Sequence, residues 1–138
     1  MKTLFTAAIL AAIMTVTTFG YTDDDLYILS HIISAEAGNC SEDMMLSVGS
    51  VVLNRVADDR FPDTLYDVVF QGNPTQYQPT VDGSYWNDPT DAAVEVAKRL
   101  LEEGPAIDES VVWQSEEQQG EIYDVIESPW GTKMYFCY

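Results

Sequence analysis

The sequence predicts an α+β domain, mainly helical, with a small antiparallel sheet formed by its C-terminal part. Three observations carry this. Apolar residues recur at helical spacing in capped segments as far as residue 104, and β-prone runs occur only after residue 109. The 138 residues leave room for one domain. An apolar fraction of 46%, with five Phe, three Trp and eight Tyr, supplies a core and argues against disorder.

Residues 1–20 read as a secretory signal peptide, and 21–138 as the single domain. Lys2 gives a positive start, residues 4–12 (LFTAAILAA) form an apolar run, and small and polar residues follow to Gly20. An uncleaved anchor is the alternative, but the run is short and threonine-rich for a membrane span.

The first helix is expected over residues 23–36. Leu26, Leu29, Ile32 and Ile33 share one stripe, and His31 and Ser34 fall on the polar side. Glu36 lands in the middle of the apolar arc, and Gly38-Asn39 ends the helix. Ser41 caps a second helix running to about Ala57 through Met45, Val48, Val52 and Val56, with Glu42 and Asp43 at its positive end. Gly49 allows close helix packing, and Arg55, beside the stripe, calls for an acidic partner. Phe61-Pro62 breaks the chain before a short third helix over 63–70, with Thr64 as a possible cap. Residues 71–87 are rich in turn formers and aromatics, which predicts a long surface loop with room for a hairpin. Asp88-Pro89 starts a last helix through Ala92, Ala93, Val96, Leu100 and Leu101, stopping at Gly104. The runs 110–113 and 133–138 are expected to pair across a polar connection.

Six basic residues against 23 acidic ones give a net charge of −17. Such a surface repels phosphate backbones and anionic lipid, so nucleic acid and, after signal cleavage, membrane are excluded as partners. Solubility is the simpler reading of the acidity. A bound Ca²⁺ is the minority reading, against which no Asp-x-Asp-x-Asp-Gly loop occurs and Asp23, Asp24 and Asp25 fit an acidic first helical turn. No metal site is expected. Two cysteines in an exported chain, Cys40 and Cys137, suggest one disulfide, with two free thiols as the alternative.

Glu36 is the strongest chemical signal. A carboxylic acid in an apolar setting keeps its proton near neutral pH, which suits donation to a glycosidic oxygen. The competing readings are an ordinary helix-end Glu, or a Glu36–Arg55 pair. A two-carboxylate mechanism needs a second acid. Asp82 is the best placed, although Asp82-Gly83 is also a common turn pair. Tyr77, Tyr85 and Trp86 suit sugar stacking, and Gln76 and Gln114 suit hydrogen bonds to N-acetyl or hydroxyl groups. His31 with Cys40 raises a thiol hydrolase as a lesser alternative. No phosphate loop, nucleotide fingerprint or His-x-x-x-His zinc pair is present.

The residues 29–38 (LSHIISAEAG), 48–56 (VGSVVLNRV), 61–64 (FPDT) and 68–71 (VVFQ) resemble the SleB/CwlJ-type cell wall hydrolases, which include spore-cortex-lytic enzymes. Gln76-Tyr77, residues 81–83 (VDG) and 135–138 (YFCY) extend the likeness over nearly all of the mature chain. The resemblance implies a lysozyme-like fold and a single catalytic glutamate, which maps onto Glu36. It implies cleavage of the β-1,4 bond between N-acetylmuramic acid and N-acetylglucosamine, as a lytic transglycosylase forming 1,6-anhydro ends. No second carboxylate is then needed. It also implies a substrate segment at Gln76 and Tyr77, beside which Asp82 of the same loop is a candidate binding residue. A monomer, secreted or cell-wall associated and acting on peptidoglycan strands, follows. A hydrolytic muramidase, an amidase on the same polymer, or a non-catalytic wall-binding domain are the alternatives. Gly131-Thr132-Lys133-Met134 stands where many relatives carry glycine–polar–histidine, and no separate wall-binding repeat is present.

Overall fold

The computed structural model describes residues 20–138, so the expected signal peptide lies, up to residue 19, outside the described residues. Among the described residues no helix is long and apolar enough to cross a membrane.

Five helices precede three strands. Helix α1 (Asp23–Ala37) starts at a capping box, in which the Thr22 hydroxyl accepts from the Asp25 N–H while the Asp25 carboxylate accepts from the Thr22 N–H. Helix α2 (Glu42–Ala57) starts at Ser41, whose hydroxyl accepts from the Met44 N–H, as the sequence predicts. Helix α3 (Leu65–Val69) starts at Thr64 and is shorter than expected at both ends. Residues 71–87 hold no hairpin. They form helix α4 (Pro79–Asp82), then Gly83 in the left-handed region (φ 89°), then a 3₁₀ turn (Ser84–Trp86). Proline at the first helical position and glycine just past the end explain that choice. Helix α5 (Asp91–Glu103) is capped by Thr90 rather than Asp88, and it ends at Gly104.

Helices α1, α2 and α5 meet at the centre of the core. Leu29, Ile32, Ile33, Val48, Val51 and Val52 are all 0% exposed. At Gly49 of α2, side chains of α1 and α5 press against the backbone. A Cβ there would collide with the Leu100 and Ile33 side chains, which explains a residue without one.

Helix α1 is buried on both sides, which corrects the expected solvated His31. That ring is 6% exposed, with Nδ1 2.7 Å from the Tyr27 carbonyl oxygen, and it stacks on Tyr27 and packs against Tyr85. The aromatic segment after residue 83 folds over the face that a two-sided helix would leave to water.

The sheet has the order β1-β3-β2, antiparallel throughout, with β1 at Trp113–Ser115, β2 at Ile122–Glu127 and β3 at Lys133–Cys137. Strand β2 lies inside the connection expected to be irregular. Only Ile126 of its six residues is even half-buried, so it lacks the apolar alternation that marks a strand in sequence. Val111 and Val112 are fully buried just before β1, where α2 grips them. Asn54 Nδ2 donates to the Asp108 and Val111 carbonyls at 2.8 and 2.9 Å, and Arg55 Nε donates to the Val112 carbonyl at 2.7 Å.

The expected disulfide is not formed; Cys40 and Cys137 are free thiols. Cys40 shares a cavity with Met134 of β3, whereas Cys137 is three residues further along that strand, roughly 10 Å at the usual rise. An odd separation also turns the two β3 side chains to opposite faces. Cys137 faces Trp113 and Ile122 in the ladders.

Candidate active site

Helix α1 delivers Glu36 to the end of the buried core, one turn after Ile32 and Ile33, and leaves it half-buried. Burial is the largest influence on its carboxyl group and raises its pKa to about 7. The negative charges of Asp82 and Glu116 push the same way, and the Arg55 cation opposes them. Glu36 is therefore substantially protonated near neutrality.

No ion pair joins Glu36 to Arg55 among the described residues. The acidic partner expected for Arg55 is replaced by the Val112 carbonyl and three aromatic faces. The guanidinium carbon lies 5.1 Å from the Phe61 ring centroid, 5.3 Å from Tyr77 and 5.5 Å from Trp113. At 3% exposure, Arg55 stands as a buried cation that moderates the acid from a distance.

Glu36 opens onto a small cavity of about 60 Å³. Cys40, Met44 and Met134 wall it with sulfur and methylene groups, and Glu116 stands at the same site. Ser128, Trp130 and Thr132, from the β2–β3 turn, complete it. Trp130 is 65% exposed.

The other expected site residues divide. Asp82 is exposed and within electrostatic reach of Glu36, and its carboxylate accepts from the Ser84 N–H at 2.8 Å and from the Ser84 hydroxyl. Those bonds hold its pKa below the usual value, so it is an ionised neighbour and a turn former at once. Tyr77 is 1% exposed, which corrects its expected place as a groove-lining platform; it packs beneath the site beside Arg55. Burial pushes its hydroxyl up to about 12, with the neighbouring Arg55 guanidinium opposing and Glu36 adding to the rise. Gln76 folds back on its own loop and donates to the Pro74 carbonyl at 3.3 Å. Gln114 sits on β1 opposite Phe136, with a buried, unpartnered Oε1.

Larger hollows lie elsewhere. A groove of about 620 Å³ between α2 and α5 is lined largely by charged side chains, with Arg99 and Glu42 paired at 2.9 Å, and holds no buried acid. The expected sugar-stacking residues Tyr85 and Trp86 line a separate aromatic hollow of about 560 Å³ with Tyr27, Tyr66 and Phe70. Among the described residues no group of three or more His, Cys, Asp or Glu side chains gathers as a metal site.

Glu116 and Trp130 are absent from the sequence reading, and Met134 enters it only within a departure from the family pattern. They sit in or beside the polar connection, where neither periodicity nor spacing marks them. The pattern break at residues 131–134 is the one sequence signal that points to this wall.

Fold and site together define a lysozyme-like domain, with a buried acid at the end of its central helix. The profile of the Cell Wall Hydrolase family matches residues 40–133, more than half of the chain. The chain belongs to that family, with Glu36 four residues ahead of the matched stretch. Among characterised relatives, the spore cortex-lytic enzyme of Oceanobacillus iheyensis is 32% identical over 76 residues, which is 55% of this chain and 27% of that protein. The match thus spans about a quarter of the relative. Two solved structures share the fold. The catalytic domain of the germination-specific lytic transglycosylase SleB from Bacillus anthracis superposes with a TM-score of 0.67 and 19% identity, covering 87% of this chain and 98% of that domain. The SleB catalytic domain of Bacillus cereus gives 0.64 and 21%, covering 87% and 94%.

Proposed function

We propose that the chain is an exported, monomeric lytic transglycosylase that cleaves the β-1,4 bond from N-acetylmuramic acid to N-acetylglucosamine in peptidoglycan, with Glu36 as the catalytic acid. The observation that carries this reading is the half-buried Glu36 carboxyl group, raised to about 7 with no ion-pair partner. Protonated Glu36 donates to the glycosidic oxygen as the C1–O bond breaks. The muramic acid's own 6-hydroxyl then attacks C1, and its proton returns to the Glu36 carboxylate. One residue serves as acid and then as base, so the cycle closes without a second carboxylate. Family membership and the shared fold with SleB catalytic domains support this reading. Asp82 and Glu116 keep the proton on Glu36 by like-charge repulsion.

The same carboxylates favour a second reading, hydrolytic cleavage, if either one activates a water. Digestion of purified peptidoglycan with the mature chain, followed by mass spectrometry of the ends, separates the outcomes. Anhydro-muropeptides are expected. Reducing ends would mean a muramidase, free peptides an amidase, and no release a wall-binding domain.

A further inference from the structure

We propose that Trp130 and the small cavity behind it form a recognition pocket for a 2-acetamido pyranose, with the indole stacking on the sugar ring and the cavity admitting its acetamido group. This rests on the glycan-cleaving reading and deepens it.

The backbone of the β2–β3 turn that carries Trp130 is ordered by its own hydrogen bonds. The Ser128 N–H donates to the Thr132 carbonyl at 2.8 Å, the Gly131 N–H to the Ser128 carbonyl at 3.0 Å, and the Thr132 N–H to the Ser128 hydroxyl at 2.9 Å. Gly131 takes φ 89°, which a side-chain-bearing residue resists. Ser128 is 7% exposed, so the anchor of the turn is buried while Trp130 stands 65% exposed over the Glu36 cavity. An exposed indole carried on an ordered turn offers a flat apolar face to a sugar ring.

The cavity selects by size and by charge. At about 60 Å³ it has space for about two waters, too little for a sugar ring but enough for a small planar substituent. The Cys40, Met44 and Met134 walls suit a methyl group, and the Ser128 and Thr132 hydroxyls can bond an amide. The Glu116 carboxylate repels an anionic substituent such as a lactyl group, which leaves the neutral acetamido group as the better fit.

The test measures binding without turnover. A Glu36→Gln chain is titrated with the tetramer of N-acetylglucosamine and with cellotetraose, followed by tryptophan fluorescence and NMR. The acetylated oligomer is expected to bind at least about tenfold tighter. Trp130→Ala should weaken both oligomers about tenfold, and Trp130→Phe should restore most of the loss. Cys40→Leu, which fills the cavity, should remove the preference while leaving cellotetraose affinity in place. Equal affinity for the two oligomers, no binding of either, or parental binding by Trp130→Ala or Cys40→Leu would each overturn the proposal. Peptidoglycan cleavage by the Glu36→Gln chain would instead break the catalytic assignment, and it leaves the binding preference readable.

Discussion

The helical layer and the sheet differ sharply in how they are held. Helices α1, α2 and α5 share a core in which residue after residue is fully buried, whereas β2 exposes five of its six residues. The Glu36 cavity lies where the two regions meet, with the acid coming from the stiff side and much of the wall from the thin one. A proton donor needs a fixed, partly dehydrated seat, and close-packed helices provide it. The turn that carries Trp130 is held more lightly, by backbone hydrogen bonds and the buried Ser128.

The largest expected effect tests whether chemistry belongs to the helical side alone. Glu36→Gln keeps the shape and removes the proton, so glycan cleavage should fall by roughly 10²- to 10⁴-fold or more with the fold intact. Release of anhydro-muropeptides at near the parental rate would show that the acid lies elsewhere. The wild-type rate should decline as pH rises through about 7, where Glu36 loses its proton.

Packing gives the next contrast. Ile32→Ala, at a fully buried position of α1, should cost about 2–5 kcal/mol in denaturant melts. Val125→Ala, on the exposed face of β2, should stay within about 0.5 kcal/mol. Equal costs would erase the distinction between the two regions. Gly49→Ala should cost about 1–3 kcal/mol, because the added methyl meets Ile33 Cδ1 at 2.6 Å and the Leu100 side chain.

A further, pH-dependent effect concerns the energy held by the acid itself. The folded pKa of Glu36 lies above its unfolded value of 4.5, so between 4.5 and about 7 the folded chain binds more protons. Rising pH across that window must therefore destabilise the fold, by up to a few kcal/mol at complete ionisation. Glu36→Gln should relieve that loss, melting higher than the parent at pH 8 and nearly equal to it at pH 4. A parent-to-mutant gap that does not change with pH would remove the buried acid from the account.

The helical side was the legible one. The hydroxyl caps Thr64 and Ser41, the three-and-four spacing of Val48 and Val52, and the place of Glu36 among apolar residues are local features that tertiary contacts reinforce. What local pattern cannot carry is which distant segment covers a polar face. His31 and Arg55 are polar by type, yet aromatics from residues 61, 77, 85 and 113 enclose them. The cavity wall was hidden for the same reason. Trp130 and Met134 reach Glu36 only through strand pairing of residues nearly one hundred positions downstream. Two cysteines in a chain expected to be exported suggested a bond that the strand register turns away from.

The strand order β1-β3-β2 has a consequence for assembly. The latest strand in the chain is the middle one, so β1 and β2 have no partner in the sheet until β3 arrives between them. As the polypeptide emerges, the helices can pack and seat Glu36 while the site still lacks Thr132 and Met134. Completion of the cavity is therefore a late event, set by order of synthesis. Loss of β3 would leave both outer strands unpaired at once, and it would also open the core that Phe136 helps to fill.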